Sequence, residues 1–332
     1  MNKCMPLFFS FVLFFTGVIS VYCDPAEHDN ADTGQNELTP RTFFMPIASY
    51  AFISLGNIQA HNAVGGLALY RFNPNERDKL FSISLIYTPH ILIDTAPDFP
   101  ALYHTASLSI TQKISRHTIS GTFIAMTDKP VYGGLRTFMG MAGYSYDLIN
   151  GTHFSMDLGA RLAVMDIGVT LDNGTPWLLW PIPSVRLAWN YEWITFGLMP
   201  GAWATIAPKF PVSLNFKTGS QTYDVSLWYR YFRNGNPSAE IMGIGIGVKK
   251  DLSTVIRSDG WKYDIYYDAL YGSVRLLRLF EISGGWIFDG KEGYKEINWE
   301  TLFESVGYSD ASMYSGNTGK GFFVSISVRA NL

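Results

Sequence analysis

The stretch THFSMDLGARLAV (152–164) puts four groups capable of chemistry on one parity: His153, Ser155, Asp157 and Arg161. The other parity carries Phe154, Met156, Leu158, Leu162 and Val164. A hydroxyl, an imidazole and a carboxylate are the parts of a nucleophilic hydrolysis site, where a base takes the proton of the attacking oxygen. In an extended strand, however, residues two apart lie ~7 Å from each other along the chain, so these side chains would have to lean to meet. Lipid-ester chemistry would also need the set on the apolar side, and the pattern puts it on the other. The simpler expectation is a polar wall, and the chain is read as a non-enzyme.

The same parity rule, carried along the chain, collects more ionisable residues on polar faces. They are Asp157, Arg161, Arg186, Glu192, Asp224, Arg230, Asp264, Asp268, Arg275, Glu281 and Arg329. Both signs occur in similar number. On opposite walls of an enclosed interior they set a transverse field and a constriction, with modest selectivity for small polar solutes. In a closed interior the same groups pair and fill the space. Asp157, Arg161, Arg186, Glu192, Asp224, Arg230, Asp268, Arg275 and Arg329 are the candidate lining residues. His104 falls on an apolar parity and is expected near a rim or a bulge. Glu27, His28 and Asp29 are adjacent and acidic enough for a metal, but no rigid spacing holds them, so no metal or other cofactor is expected. No phosphate loop, zinc spacing or basic run occurs. A net charge of −3 gives no case for nucleic acid.

The elements that must position these residues are strands. Aromatics make up 15% of the chain and charged residues only 16%, well under the usual quarter. Polar residues interrupt the apolar stretches at period two, which is a strand pattern. In PSVRLAWNYEW (183–193), Val185, Leu187, Trp189, Tyr191 and Trp193 oppose Ser184, Arg186, Asn190 and Glu192. In TYDVSLWYRY (222–231), Tyr223 to Tyr231 oppose Asp224, Ser226 and Arg230. In KYDIYYDALY (262–271), Tyr263, Ile265, Tyr267, Ala269 and Tyr271 oppose Lys262, Asp264, Tyr266 and Asp268, with the first set read as the apolar face. Turn signals separate the segments at 73–79, 149–152, 190–192, 233–238 and 289–293. Asn150 and Asn173 each begin an Asn-Gly-Thr sequence inside such a turn, where Asn-Gly has a backbone reason to be. The pattern marks about fourteen strands, with twelve and sixteen allowed; 193–205 reads as one of them.

The N-terminus has its own composition. Lys3 precedes the apolar run Pro6 to Ile19, the layout of a secretory signal peptide, assigned to 1–23. Residues 24–42 are polar without periodicity and are read as a disordered segment. Residues 43–332 form one domain. The two cysteines, Cys4 and Cys23, lie in or beside the signal, so cross-links are not expected to hold that domain together.

Persistent alternation fits two architectures: a sandwich with its apolar face inward, or a membrane barrel with that face outward. The polar faces are mostly Ser, Thr, Asn, Gly and Tyr, whereas a water-exposed sandwich favours Lys and Glu. Tyr and Trp stand at strand ends, as suits a water–lipid boundary. The fold class is therefore all-β, an antiparallel transmembrane β-barrel of about 14 strands.

Signal, period-two strands, aromatic ends and the final GFFVSISVRANL resemble bacterial outer-membrane β-barrel proteins, porin-like in general form. The likeness covers nearly all of 43–332. It implies an outer-membrane location, contact with outer-membrane lipid and handling by the barrel assembly machinery. It also implies passive diffusion of small polar solutes; a surface adhesin or structural barrel without an open channel is the alternative. Many such proteins end in Phe, which the assembly machinery reads. This chain ends in Leu332, which points to a bacterium with a relaxed signal, of the spirochaete type. His153 and Ser155 also resemble the His-x-Ser pair of the lipid A deacylases, but the residues around it are not matched. Two segments are long enough to plug a lumen: 166–182, and 289–318, where Trp299, Leu302, Phe303 and Val306 share a helical face.

Overall fold

A strand that alternates greasy and polar residues must bury one face, and a ring of such strands can do so without leaving an open edge. The computed structural model describes residues 41–73, 76–93, 101–128, 137–166, 178–198, 201–219, 222–233, 240–256, 261–277, 279–296, 314–317 and 319–328. Along the chain the strands are β1 (Arg41–Leu55), β2 (Ile58–Asn73), β3 (Glu76–Ile93), β4 (Leu102–Ile114), β5 (His117–Thr127) and β6 (Thr137–Asn150). Then come β7 (Phe154–Asp166), β8 (Leu178–Asn190), β9 (Ile194–Leu198), β10 (Ala202–Ile206), β11 (Val212–Thr218) and β12 (Tyr223–Phe232). The last are β13 (Glu240–Ile256), β14 (Trp261–Leu276), β15 (Phe280–Glu296), β16 (Tyr314–Asn317) and β17 (Gly321–Val328). Each pairs antiparallel with its neighbour, and β17 pairs with both β15 and β1. The sheet thus closes on itself. The four-residue β16 pairs only with β15, beside the ring, so sixteen of the seventeen strands make the barrel.

Sixteen exceeds the expected fourteen, and the main reason is local. The segment read as a single strand, 193–205, holds two strands, β9 and β10, paired antiparallel with each other. At Gly201 a Cβ would run into the carbonyl oxygen of Thr218. The expected turn at 289–293 is instead part of β15. Its Asp289-Gly290 pair marks close packing, because a Cβ on Gly290 would occupy the space filled by the Leu55 side chain. One residue earlier, the register shifts between Asp268 and Ala269, leaving Phe288 as the extra residue of a bulge.

An even ring brings Arg41 and Val328 to the same end. That end also carries the short connections 74–75, 115–116, 151–153, 191–193 and 277–279. The opposite end carries the longer connections 94–101, 128–136, 167–177 and 297–320, together with 56–57, 199–201, 219–222 and 257–260. These are called the turn end and the loop end below. The helical pattern near 299–306, the segment 24–40 and the chemistry of Glu27, His28 and Asp29 lie outside the described residues, as does the middle of the 166–182 segment.

The outer face is apolar over most of the ring. Leu85, Ile119, Leu162, Ile246 and Leu270 are exposed, Ile119 by 61% and Ile246 by 62%. Rings bound this surface at both ends. Near the loop end, Tyr50 bonds His61 at 2.7 Å and Tyr87 bonds His104 at 2.5 Å. Near the turn end, Tyr144 bonds His117 at 2.7 Å, and His153 stacks on Tyr191. His104 is thus at a rim, and its apolar parity is satisfied by a tyrosine hydroxyl.

Candidate lumen site

Two walls face each other across the interior, and they are built differently. On β4 to β8 the inward rows are hydroxyls and charges. The register aligns Thr111, Ser120, Gly143 and Arg161 in one row, and Lys113, Thr118, Ser145, Gly159 and Ser184 in the next. A third row, nearer the turn end, aligns Asp147, Asp157 and Arg186. Asp147 continues the inward parity of Gly143 and Ser145, and its carboxylate accepts from Lys113 at 2.6 Å. A bulge just after it, at Leu148, leaves both Leu148 and Ile149 exposed.

The opening stretch resolves here. Asp157 is buried, and its Oδ2 accepts from Arg186 at 2.7 Å and 2.5 Å. Arg161 lies across Gly143, where a Cβ would be 3.1 Å from its Cγ. Arg161 has no ion-pair partner among the described residues. Together Asp157, Arg161, Arg186, Ser120, Ser145 and Ser184 line a cavity of about 330 Å³. His153 does not join them. It sits in the β6–β7 turn, where its Nδ1 bonds the Asn190 carbonyl oxygen at 3.0 Å. No Ser155–His153 hydrogen bond is present among the described residues, and the Asp157 carboxylate is committed to Arg186.

The opposite wall, on β13 to β17 with β1 and β2, is aromatic. Tyr263, Ile265, Tyr267, Ala269 and Tyr271 are buried with Leu55, Ile287 and Phe323 in one cluster. This corrects the reading of β14: its tyrosine row faces the interior, and the opposite parity carries the exposed Leu270, Val274 and Leu276. Asp268 therefore stands on the outer parity, where it accepts from the Tyr223 hydroxyl at 2.8 Å. Asp264 shares that parity. The physical reason is that both faces of KYDIYYDALY hold tyrosines, so residue type alone could not tell inside from outside. Lys249 spans this wall: its ammonium bonds Asp251 at 3.0 Å and lies 3.9 Å over the Phe323 ring. Tyr271 donates to Asp224 at 2.6 Å, which keeps Asp224 inside as expected.

Nearer the turn end, Arg275 pairs with Glu281 at 2.8 Å and covers the Trp228 ring at 4.3 Å. Trp228 in turn lies flat on β13: a Cβ on Gly245 would be 2.7 Å from its ring. Arg230 has a structural task. Its guanidinium donates to the carbonyls of Ala207, Pro208 and Phe210, closing the β10–β11 turn. Of the other expected lining residues, Glu192 sits exposed in the β8–β9 turn rather than in the lumen, because the strand ends at Asn190. Arg329 lies outside the described residues. Sequence reasoning missed Lys113, Asp147 and Lys249. All three are on polar parities, so the alternation rule could have found them.

No family model and no curated protein matches the sequence. Solved structures similar in fold include CdiB from Acinetobacter baumannii, at 8% identity and a TM-score of 0.35, with 86% of this chain and 60% of that one covered. OprB from Pseudomonas putida, in a low-pH structure, is 8% identical at a TM-score of 0.27, covering 86% and 92%. OccK2 (OpdF) from Pseudomonas aeruginosa is 9% identical at 0.23, covering 87% and 96%. The chain spans about three fifths of the CdiB chain it matches.

Proposed function

We propose that the protein is a porin-like channel of a bacterial outer membrane, through which small polar solutes diffuse. The observation that carries this reading is the closed ring of sixteen strands with aliphatic residues outside and a hydroxyl-and-charge wall inside. Barrels of about 16 strands enclose more space than their side chains fill, and an exposed greasy exterior suits hydrocarbon. The spacing of the ring-bearing rims agrees. From His104 to Ile114, the partner of His117, β4 runs ten residues. That is ~34 Å along the strand, or roughly 25 Å along the membrane normal at the usual tilt. The secretory-signal pattern read at 1–23 also supports this reading.

The aromatic cluster on β14, β15 and β17 narrows the interior near the loop end. It supports a second reading, a structural barrel without an open passage. Planar-bilayer recording of the refolded chain separates the two. Stepwise conductance is expected for the channel. A silent bilayer containing a folded barrel would favour the closed form.

A further inference from the structure

The wall is not of even height. β9 and β10 have five residues each, whereas β8 has thirteen. β8 pairs with β9 only over Leu187–Asn190. Its stretch Leu178–Arg186 pairs with β7 on one side and, among the described residues, with no strand on the other. Exposed Leu179 and Val185 mark the outer face of this stretch as apolar, so among the described residues an unpaired edge borders the hydrocarbon layer. Such an edge is tolerated at membrane depth only where it is covered by protein or lines a cavity.

Two prolines argue against cover by an added strand. The Asn190 N–H donates toward β7, to His153, and the Tyr191 N–H donates toward β9, to Ile194. Alternation along β8 then sends the odd-numbered N–H groups to the β9 side. At 181 and 183 those groups do not exist, because both residues are proline. Proline on an edge removes the donors a docking strand would need.

Behind this edge stands the cavity described above, where two arginines face a single carboxylate, Asp157, which pairs with Arg186. Arg186 is on the edge strand itself, with a side chain 68% exposed. Arg161 is one strand away, opposite Ile182, and has no ion-pair partner among the described residues. The hydroxyls of Ser120, Ser145 and Ser184 surround them. Below the gap, at the top of the β9–β10 hairpin, Leu198 faces outward and Trp203 lies on Gly197, where a Cβ would be 2.7 Å from the ring. Apolar side chains on the hairpin and guanidinium groups on β7 and β8 thus stand on either side of this edge.

We infer that the gap above the β9–β10 hairpin is a side portal for a long-chain carboxylate, whose head binds Arg161 and Arg186 while its chain passes over Trp203 toward the bilayer. This rests on the membrane-barrel part of the functional reading and goes beyond polar-solute diffusion. A planar guanidinium pairs well with a carboxylate, and hydroxyls complete the shell.

The test is photolabelling of the full chain in proteoliposomes with a diazirine-bearing hexadecanoate, followed by mapping of the labelled peptides. Labels are expected on 178–186 and at Trp203, displaced by oleate but not by butyrate or oleyl alcohol. Arg161→Gln should lower labelling there about tenfold, as loss of one charge-assisted pair predicts, and Arg161→Lys should restore most of it. Labelling spread evenly over the outer face, or equal displacement by oleyl alcohol, overturns the portal. Equal displacement by butyrate also overturns it, leaving a plain anion site. The competition series uses the unaltered protein, so it decides even if Arg161→Gln does not fold. Conductance of the same liposomes separates the two readings: current without portal labels defeats the portal alone, and portal labels without current defeat the channel alone.

Discussion

The two walls of the lumen share antiparallel pairing and alternation, yet differ in what fills them. The β4–β8 wall presents Ser, Thr and ion pairs over small residues, with Arg161 lying across Gly143. The β13–β17 wall presents Tyr, Phe and Ile packed into one cluster, with Tyr271 and Phe323 resting on glycine backbones such as Gly285. The first wall is tied by ion pairs and lines a cavity with hydroxyls and charge. The second is held like a soluble core. Period two therefore establishes which residues share a face, but not whether that face looks into water, into protein or into lipid.

The largest effect expected from this contrast is on the aromatic wall. Phe323→Ala removes a fully packed ring between Tyr271 and Lys249 and should cost about 3–5 kcal/mol, as core Phe truncations do. Urea titration of the folded barrel in lipid vesicles measures it. A cost below about 1 kcal/mol would mean the cluster is loosely packed.

Next comes the outer surface. Leu158→Arg places a charge on the apolar side and should destabilise the barrel by about 2–4 kcal/mol if it lies near the midplane. The inward exchange Ser155→Lys on the same strand, which shares the parity of Asp157, should cost less than that, because its charge faces the polar interior. Comparable losses for charges placed on both parities would erase the inside–outside distinction on β7.

On the polar wall the expected changes are smaller. Asp157→Asn weakens a buried acceptor for Arg186 and should cost about 1–3 kcal/mol. Smallest of all is Arg161→Gln. It should leave stability within about 0.5 kcal/mol, the usual range for an exposed side chain whose stem the glutamine largely keeps. Its signature is electrical: the reversal potential in a salt gradient should move toward cation preference. An unchanged potential would remove Arg161 from the conducting path.

Much of the fold was legible because β3, β4, β7, β8 and β17 carry aliphatic residues on one parity and Ser, Thr or charge on the other. There the sides come out as read: Leu85, Leu108, Leu158, Val185 and Phe322 are exposed, and Asp157 and Phe323 are not. Legibility fell where the two faces are chemically alike. β14 has tyrosine on both, so its sides were exchanged and Asp268 with them. Short strands hide differently: β9 and β10 together make one apparent strand, and only Pro200-Gly201 betrays the fold-back. Glu192 followed the parity of β8 past the point where the strand had ended. The pairs that join distant rows, such as Tyr271 with Asp224 and Lys249 with Phe323, depend on register across strands. A single strand's sequence carries no record of that.

Accessibility of nitroxide labels in liposomes tests the central claim most directly. Single cysteines at 158 and 270 on the outer parity, and at 145 and 273 on the inner, would be introduced after replacing Cys4 and Cys23. Oxygen should relax the outer pair strongly and a water-soluble nickel chelate should not, since hydrocarbon covers them. The label at 145 should show the reverse, and the label at 273, in the aromatic wall, should be reached poorly by both. Strong nickel-chelate relaxation at 158 and 270 would contradict a lipid-facing exterior and with it the whole account.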